Sequence, residues 1–82
     1  MAKGDTYLEI TKYLEKQNSS ILVMSFDEIK KINGDYLPAS AYKHSAWWSN
    51  SKSHPEAFGW LNAGYKTCNV DIALKKVTFE KM

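Results

Sequence analysis

An 82-residue chain with 44% hydrophobic residues and a formal net charge of +2 suffices for one domain with one modest core. We therefore expect one domain over residues 1–82. The sequence has no apolar run long enough to span a bilayer or to act as a signal peptide, so we expect no membrane partner. Its single cysteine, Cys68, cannot form an internal disulfide, which fits a cytoplasmic location. All eleven cationic side chains are lysines, and without the guanidinium group that most often pairs with guanine and phosphate, sequence-specific binding to nucleic acid is disfavoured.

Three segments carry the signature of a helix start, a Ser or Thr followed three residues later by Glu. They are Thr6 with Glu9, Ser25 with Glu28, and Ser53 with Glu56. The first predicts a helix that ends near Gln17, with one apolar face formed by Tyr7, Ile10 and Leu14.

A buried strand and a second helix follow. The run from Ile21 to Met24 is short and continuously apolar, which is typical of a buried strand. Apolar residues then recur every third position over FDEIKKI, and Asn33-Gly34 supplies the left-handed residue that ends such a helix.

The middle of the chain predicts a helical turn, a loop and a third helix. Pro38 suits the first turn of a short helix that ends near His44, and residues 45–52 read as a loop. The third capping signature opens a helix over HPEAFGWLNA, closed by Gly64.

The last part of the chain predicts a β-hairpin. YKTCNVDI and VTFEK both alternate between two faces and are separated by a four-residue connection. Cys68 alternates with Val70 and Ile72, which predicts a buried cysteine. We also expect Trp60 and Phe79 to be largely buried.

The resulting order is helix, strand, helix, helical turn, helix, strand, strand. It predicts an α+β domain in which helices pack on a three-stranded antiparallel sheet, which is the order of a winged helix. Other α+β arrangements share this order, so the topology stays open.

The residues LPASAYKHSAWWSN, followed by His54, GWLNAGYK, VDI and VTFEK, resemble a small uncharacterised domain of bacteria and phages. The matching positions are Leu37, Pro38, Ser40, Ala41, Trp47, Trp48, Asn50, His54, Trp60, Ala63, Gly64, Val77 and Phe79. The resemblance covers most of the chain from Ser25 onward and supports the element boundaries, but it implies no particular activity. The domain that it resembles has a basic ending after Val-x-Phe, whereas this chain has Glu80-Lys81, which argues against anion binding by the last strand.

Residues 40–54, SAYKHSAWWSNSKSH, combine three aromatic side chains with two histidines, two lysines and an asparagine. Adjacent side chains point in different directions on a helix or a strand, so Trp47 and Trp48 are not expected to enter one core together. Seven of the eleven aromatic residues lie between Tyr36 and Tyr65, which is more than the edge of a small core requires.

The preferred interpretation is a small-molecule binding module for a nucleotide-derived ligand, because planar heterocycles stack on aromatic rings while His, Asn and Ser fix their orientation. The predicted ligand-binding residues are Ser40, Tyr42, Lys43, His44, Trp47, Trp48, Asn50, His54 and Trp60. One subunit of this size has little depth, so a second copy is expected to complete the pocket. The phage occurrence of the resembling domain suggests sequestration of a nucleotide signal of host defence.

Two alternatives remain open. A winged-helix DNA-binding or adaptor domain would use the helix from His54 to Ala63 for recognition. Lys75 and Lys76, at the tip of the hairpin, would contact the phosphate backbone of the DNA. A small nucleotide hydrolase would use His44 or His54 as acid or base. The sequence contains no paired-carboxylate motif, no cofactor-binding motif and no close pair of metal ligands, so we expect no cofactor and no metal, and a binding protein rather than an enzyme.

Overall fold

A three-stranded antiparallel sheet with helices on one face organises the structure, a computed structural model that describes residues 7–51, 54 and 56–82. The elements, in chain order, are α1 (Leu8–Glu15), β1 (Ile21–Ser25), α2 (Phe26–Ile32), α3 (Ala39–Lys43), a 3₁₀ helix (Ser45–Trp48), α4 (Ala57–Leu61), β2 (Tyr65–Asp71) and β3 (Lys76–Lys81). Within the described part of the chain, no helix is long and apolar enough to cross a membrane.

The predicted α+β class and element order are confirmed. The strands lie in the order β1-β3-β2, and β3 runs antiparallel to both neighbours. The hairpin connection has four residues, as predicted, but it lies one position earlier than predicted, because β2 ends at Asp71 and β3 begins at Lys76.

The capping signature that opens α2 is confirmed. Ser25 Oγ accepts a hydrogen bond from the Glu28 N–H at 3.1 Å, and Glu28 Oε1 accepts one from the Ser25 N–H at 2.9 Å. The other two signatures depend on Thr6 and Ser53, which lie outside the described residues. Both of those helices are shorter than predicted, since α1 ends at Glu15 and α4 spans Ala57–Leu61.

Part of the predicted loop over residues 45–52 is a 3₁₀ helix instead. Backbone hydrogen bonds from Trp47 to His44 and from Ser49 to Ala46 close its turns at 3.0 and 3.1 Å. A single short turn leaves no periodicity to read in the sequence, and the burial of Trp48 stabilises it.

The prediction of a buried cysteine is wrong, because β2 contains a bulge. The pairing with β3 shifts by one residue between Thr67 and Asn69, and Cys68 is exposed. Before the bulge, the side chains of Tyr65 and Thr67 point to the core; after it, the side chain of Val70 does. One extra residue thus reverses the side-chain alternation that the sequence pattern assumes.

The core lies between the inner face of the sheet and the helices. Its most deeply buried side chains come from every helix and all three strands: Ile10, Leu14, Met24, Phe26, Ile29, Ala41, Trp48, Ala57, Trp60, Tyr65, Val77 and Phe79. The predicted burial of Trp60 and Phe79 is confirmed, since neither ring exposes any surface.

The first and last helices approach each other closely at Gly59. Thr11 Oγ1 donates a hydrogen bond to the Gly59 carbonyl oxygen at 2.7 Å. A Cβ atom on Gly59 would lie 3.0 Å from Tyr7 Cβ, which is tighter than an ordinary contact, so a side chain there would have to displace Tyr7.

We predict that Gly59→Ala destabilises the domain. In an exposed helix the same change stabilises by roughly 0.5–1 kcal/mol, but here the added methyl would push Tyr7 away from α4. Chemical denaturation of the two proteins measures the difference. A more stable variant would show that α1 can shift without loss of packing.

The bulge predicts that the Cys68 thiol reacts fully with a thiol reagent such as dithionitrobenzoate in the native protein, because its side chain is exposed. The measurement is the reaction time course with and without denaturant. A reaction that needs denaturant would place Cys68 in the core and contradict the bulge.

Candidate ligand-binding surface

The 3₁₀ helix separates the two adjacent tryptophans. With three residues per turn, neighbouring side chains point roughly 120° apart. Trp48 is only 1% exposed, whereas Trp47 keeps part of its ring at the surface, and the two ring centroids are 4.7 Å apart in an edge-to-face arrangement. One tryptophan therefore belongs to the core and the other to the surface.

Trp48 is the middle ring of a three-ring stack in the core. Its ring lies 4.8 Å from that of Phe26 at an interplanar angle of 20°, and 5.7 Å from that of Trp60 at 23°. Such aromatic pairs contribute about 0.5–1.5 kcal/mol each beyond their buried area. The stack joins α2, the 3₁₀ helix and α4.

The buried polar atoms around Trp48 are paired with neighbouring elements. Its indole Nε1 donates to the Ala41 carbonyl oxygen at 2.9 Å, which ties the 3₁₀ helix to α3. Its own carbonyl oxygen accepts from Thr67 Oγ1 at 2.6 Å, which ties it to β2. Buried polar groups of this kind require such partners to avoid a desolvation penalty.

The Asn50 side-chain amide connects the ring stack to the sheet. Its Oδ1 accepts from Trp60 Nε1 at 3.0 Å and from the Thr67 N–H at 2.9 Å, and its Nδ2 donates to the Thr67 carbonyl oxygen at 2.9 Å. Asn50 therefore pairs with both backbone groups of Thr67, as a neighbouring strand would.

Three of the nine predicted ligand-binding residues thus have structural roles. Trp48 and Trp60 have at most 1% of their surface exposed, and both ends of the Asn50 amide are engaged within the domain. Trp48 and Trp60 offer a ligand no exposed ring face, and the Asn50 amide already binds Trp60 and Thr67, so the surface described below does not include these three residues.

The predicted residues on α3 are more accessible. Ser40, Lys43 and His44 are exposed. Tyr42 is partly buried against α2, where its hydroxyl donates to Asp27 Oδ1 at 3.1 Å, and burial together with this carboxylate raises the pKa of Tyr42.

Trp47 is part of an aromatic surface with Tyr7 and Tyr36. The Tyr7 ring packs edge-to-face against Trp47 with ring centroids 5.9 Å apart, and the Tyr36 ring lies 6.3 Å from Tyr7. Tyr36 is 49% exposed, and Trp60 lies 6.2 Å from Trp47 on the core side. We call Tyr7, Tyr36 and Trp47 the aromatic surface.

A buried carboxylate adjoins the aromatic surface. Glu56 is 8% exposed, and its Oε2 lies 3.2 Å from Nδ1 of His54. Burial, then the neighbouring Tyr36 and Glu56 and a hydrogen bond with Tyr36, raise the pKa of Tyr7 far above its usual value, so this phenol stays protonated and its hydroxyl is paired with that of Tyr36.

Sequence reasoning did not assign Tyr7, Tyr36 and Glu56 to a site. Tyr7 fitted the apolar face of a helix, and Glu56 fitted a capping signature with Ser53. As N-cap of α4, Glu56 makes no side-chain capping bond. The one local signal was the spacing of His54 and Glu56, two residues apart, which lets a carboxylate orient an imidazole.

A groove lies between α4 and β2, apart from the aromatic surface. It has a volume of about 480 Å³ and is lined by Asn50, Phe58, Leu61, Asn62, Lys66 and Met82. Phe58 and Met82 are 43% and 68% exposed, so the groove is open and largely apolar. The exposed face of α4 thus presents Phe58 and Asn62 rather than cations, which gives little support to a DNA-recognition helix.

No group of three His, Cys, Asp or Glu side chains able to hold a metal ion occurs among residues 7–51, 54 and 56–82. His54 has one carboxylate neighbour, Glu56, which suits orientation of the imidazole ring. The side chains of this surface can offer hydrogen bonds and aromatic stacking.

Comparison with known families decides where the chain belongs. A family model described as "Domain of unknown function (DUF7662)" matches residues 7–82. The chain belongs to this family. The matched range covers every element of this DUF7662 domain from α1 to β3, in agreement with the sequence resemblance to a small uncharacterised domain. No curated protein and no solved structure gives a significant match.

The hydrogen bonds of Asn50 predict that Asn50→Ala strongly destabilises the domain. The change leaves the Trp60 indole N–H and both Thr67 backbone groups unpaired, at roughly 1–3 kcal/mol for each buried group. We expect a loss of at least about 2 kcal/mol in chemical denaturation.

The control is Asn62→Ala, which removes an exposed amide from the same region of the fold and should change stability little. Asn50→Asp keeps Oδ1 but places a second oxygen opposite the Thr67 carbonyl, so it should also destabilise. Equal stability of the Asn50→Ala and Asn62→Ala variants would contradict the structural role of Asn50.

Proposed function

We propose that this domain is a small-molecule binding module, that its ligand is nucleotide-derived, and that the ligand stacks on the aromatic surface. The position of Trp47 carries the proposal. Its ring remains partly exposed although the adjacent Trp48 is buried, and Tyr7 and Trp60 pack against it at 5.9 and 6.2 Å. An indole held in this way is a rigid platform, and stacking of a base on such a ring contributes about 1–3 kcal/mol.

The polar groups beside the platform favour a base with N–H donors. The Glu56 carboxylate can accept hydrogen bonds from amino and ring N–H groups, and the hydroxyl of the exposed Tyr36, which is paired with that of Tyr7, can donate to a carbonyl or ring nitrogen. His54, oriented by Glu56, supplies a further hydrogen-bonding nitrogen. This combination of one hydrophobic face and a few converging polar groups is typical of small-molecule sites.

A phosphate would be held away from Glu56, because the two negative charges repel each other. Lys43 and His44 are exposed at the end of α3, and the backbone of His44 is joined to that of Trp47 by a 3.0 Å hydrogen bond. Ser40 lies one helical turn earlier and adds a hydroxyl. We therefore assign phosphate and sugar contacts to α3 and base contacts to the aromatic surface.

The residues assigned to the site all lie on one subunit, and a second copy of the chain would give this shallow site more depth. A domain that holds a nucleotide without converting it would lower the free concentration of that nucleotide. We include in the proposal the role suggested by the phage resemblance, the sequestration of a nucleotide signal of host defence.

Calorimetric titration with mono-, di- and cyclic nucleotides and ADP-ribose derivatives tests the proposal. We expect Trp47→Ala to weaken binding by about five- to a hundredfold, because it removes the stacking platform while leaving the ring stack of the core in place. Phe58→Ala is the matched control, since it removes an exposed aromatic ring from the groove on α4.

Binding that is weakened by Phe58→Ala and not by Trp47→Ala would place the ligand in the groove and contradict the proposal. Absence of binding across the whole panel would also contradict it. Chromatography of the nucleotide recovered from denatured complex separates the two forms of the function: an unchanged nucleotide indicates binding alone, and a changed one indicates a hydrolase that uses His54 or His44.

A further inference from the structure

The two outer strands of the sheet have different free edges. On β2, the outward backbone N–H and C=O of Thr67 pair with the Asn50 amide, and a bulge interrupts the strand at Cys68. Bulges and covered backbone groups are the devices by which proteins protect sheet edges from pairing with another chain. The edge of β2 is therefore closed.

In the part of the chain that the structure describes, the edge of β1 has no comparable protection. Among the described residues, β1 pairs with β3 alone, and ILVMS contains no charge, no proline and no bulge. Ile21 and Val23 are 55% and 62% exposed on the outer face of the sheet. An apolar, unprotected edge of this kind is a template for a further strand.

Hydrogen bonds at the two ends of β1 show which backbone groups point outward. Ser20 and Phe26 pair with Lys81 and Lys75 of the β3 segment at 2.7 and 2.8 Å. In an antiparallel ladder every second residue pairs in this way, so Leu22 and Met24 also face β3. The N–H and C=O groups of Ile21 and Val23 therefore point to the open edge.

The groups flanking these two residues are already engaged. The Ser25 N–H donates to Glu28 Oε1 at 2.9 Å, and the Ser19 carbonyl oxygen accepts from the Tyr65 hydroxyl at 2.6 Å. The open part of the edge is thus limited to Ile21, Leu22 and Val23. This three-residue edge is too short to pair with a long partner strand. Its outward N–H and C=O groups lie symmetrically on either side of Leu22, so the edge can pair with an identical edge.

We propose that two copies of this chain associate through antiparallel pairing of their β1 strands, centred on Leu22. In this register Ile21 of each copy lies opposite Val23 of the other, and all four of these residues use both outward backbone groups. Centring the pair on Ile21 or Val23 instead would require the engaged groups of Ser19 or Ser25. The result is a six-stranded sheet.

The side chains fit the same arrangement. On the outer face each exposed Ile21 packs against Val23 of the second copy, a cross-strand pair of β-branched residues. At each end, Glu28 beside Ser25 lies opposite Ser19 and Ser20 of the second copy, whose hydroxyls can donate to the carboxylate. β1 contributes no residue to the aromatic surface, so a test of this pairing is independent of a test of the proposed function.

Sedimentation equilibrium tests the association. We expect the unmodified chain to dimerise and Val23→Lys to raise the dimer dissociation constant at least about tenfold, because a lysine would replace the apolar cross-strand contact. Leu74→Lys is the matched control, since Leu74 is 66% exposed on the hairpin connection and should leave dimerisation unchanged. Circular dichroism verifies that both variants fold.

Single cysteines in a Cys68→Ser background determine the register. Leu22→Cys should form an intermolecular disulfide under mild oxidation, because residue 22 lies directly opposite its own copy in a non-hydrogen-bonded pair. Ile21→Cys and Val23→Cys should form it far more slowly. A monomeric unmodified chain, equal effects of Val23→Lys and Leu74→Lys, or equal oxidation at all three positions would overturn the proposal.

Discussion

The stack of Phe26, Trp48 and Trp60 is the interaction on which the rest of this structure depends. It places one ring from each of three helical segments in the same small core, with centroid separations of 4.8 and 5.7 Å. Two indole N–H groups become buried with it, and each must find an acceptor. The acceptors are the Ala41 carbonyl and Asn50, and these two bonds determine where α3 and the segment after the 3₁₀ helix run.

The same requirement divides the aromatic residues into two groups with different roles. Rings that enter the stack have no exposed face, whereas Trp47 turns outward because the 3₁₀ helix directs adjacent side chains apart. The outward ring packs against Tyr7, which lies just before α1, and Tyr7 in turn packs against Tyr36 from the segment after α2. A surface suited to stacking thus arises next to the core that positions it, and Glu56 gives it a polar border.

Asn50 also affects which edge of the sheet has free backbone hydrogen-bonding groups. By pairing with Thr67 it closes the edge of β2, and the neighbouring bulge prevents regular pairing further along that strand. Nothing equivalent covers β1 within the described residues, where Ile21 and Val23 remain exposed. The sheet is therefore asymmetric, with one edge used for internal structure and the other open to association.

The sequence by itself determined those features that depend on local interactions. The Ser25–Glu28 capping box, the third-residue spacing within α2 and the alternation of β3 each involve residues close in the chain, and the structure contains all three. They were sufficient for the fold class and the order of the elements. Where the helices end and whether a four-residue turn is helical were less well predicted, because these depend on packing beyond the segment.

Tertiary structure alone decided the features that depend on distant partners. Cys68 is exposed because the pairing of β2 with β3 needs an extra residue, a property of two strands that one strand's pattern cannot show. Asn50 looked like a ligand-binding amide, yet its partners are ten and seventeen residues away. The proximity of Tyr7 to Trp47 likewise follows from the packing of α1 on α4 at Gly59. Thr11 and Gly59 are 48 positions apart in the chain, so no local sequence signal encodes this contact.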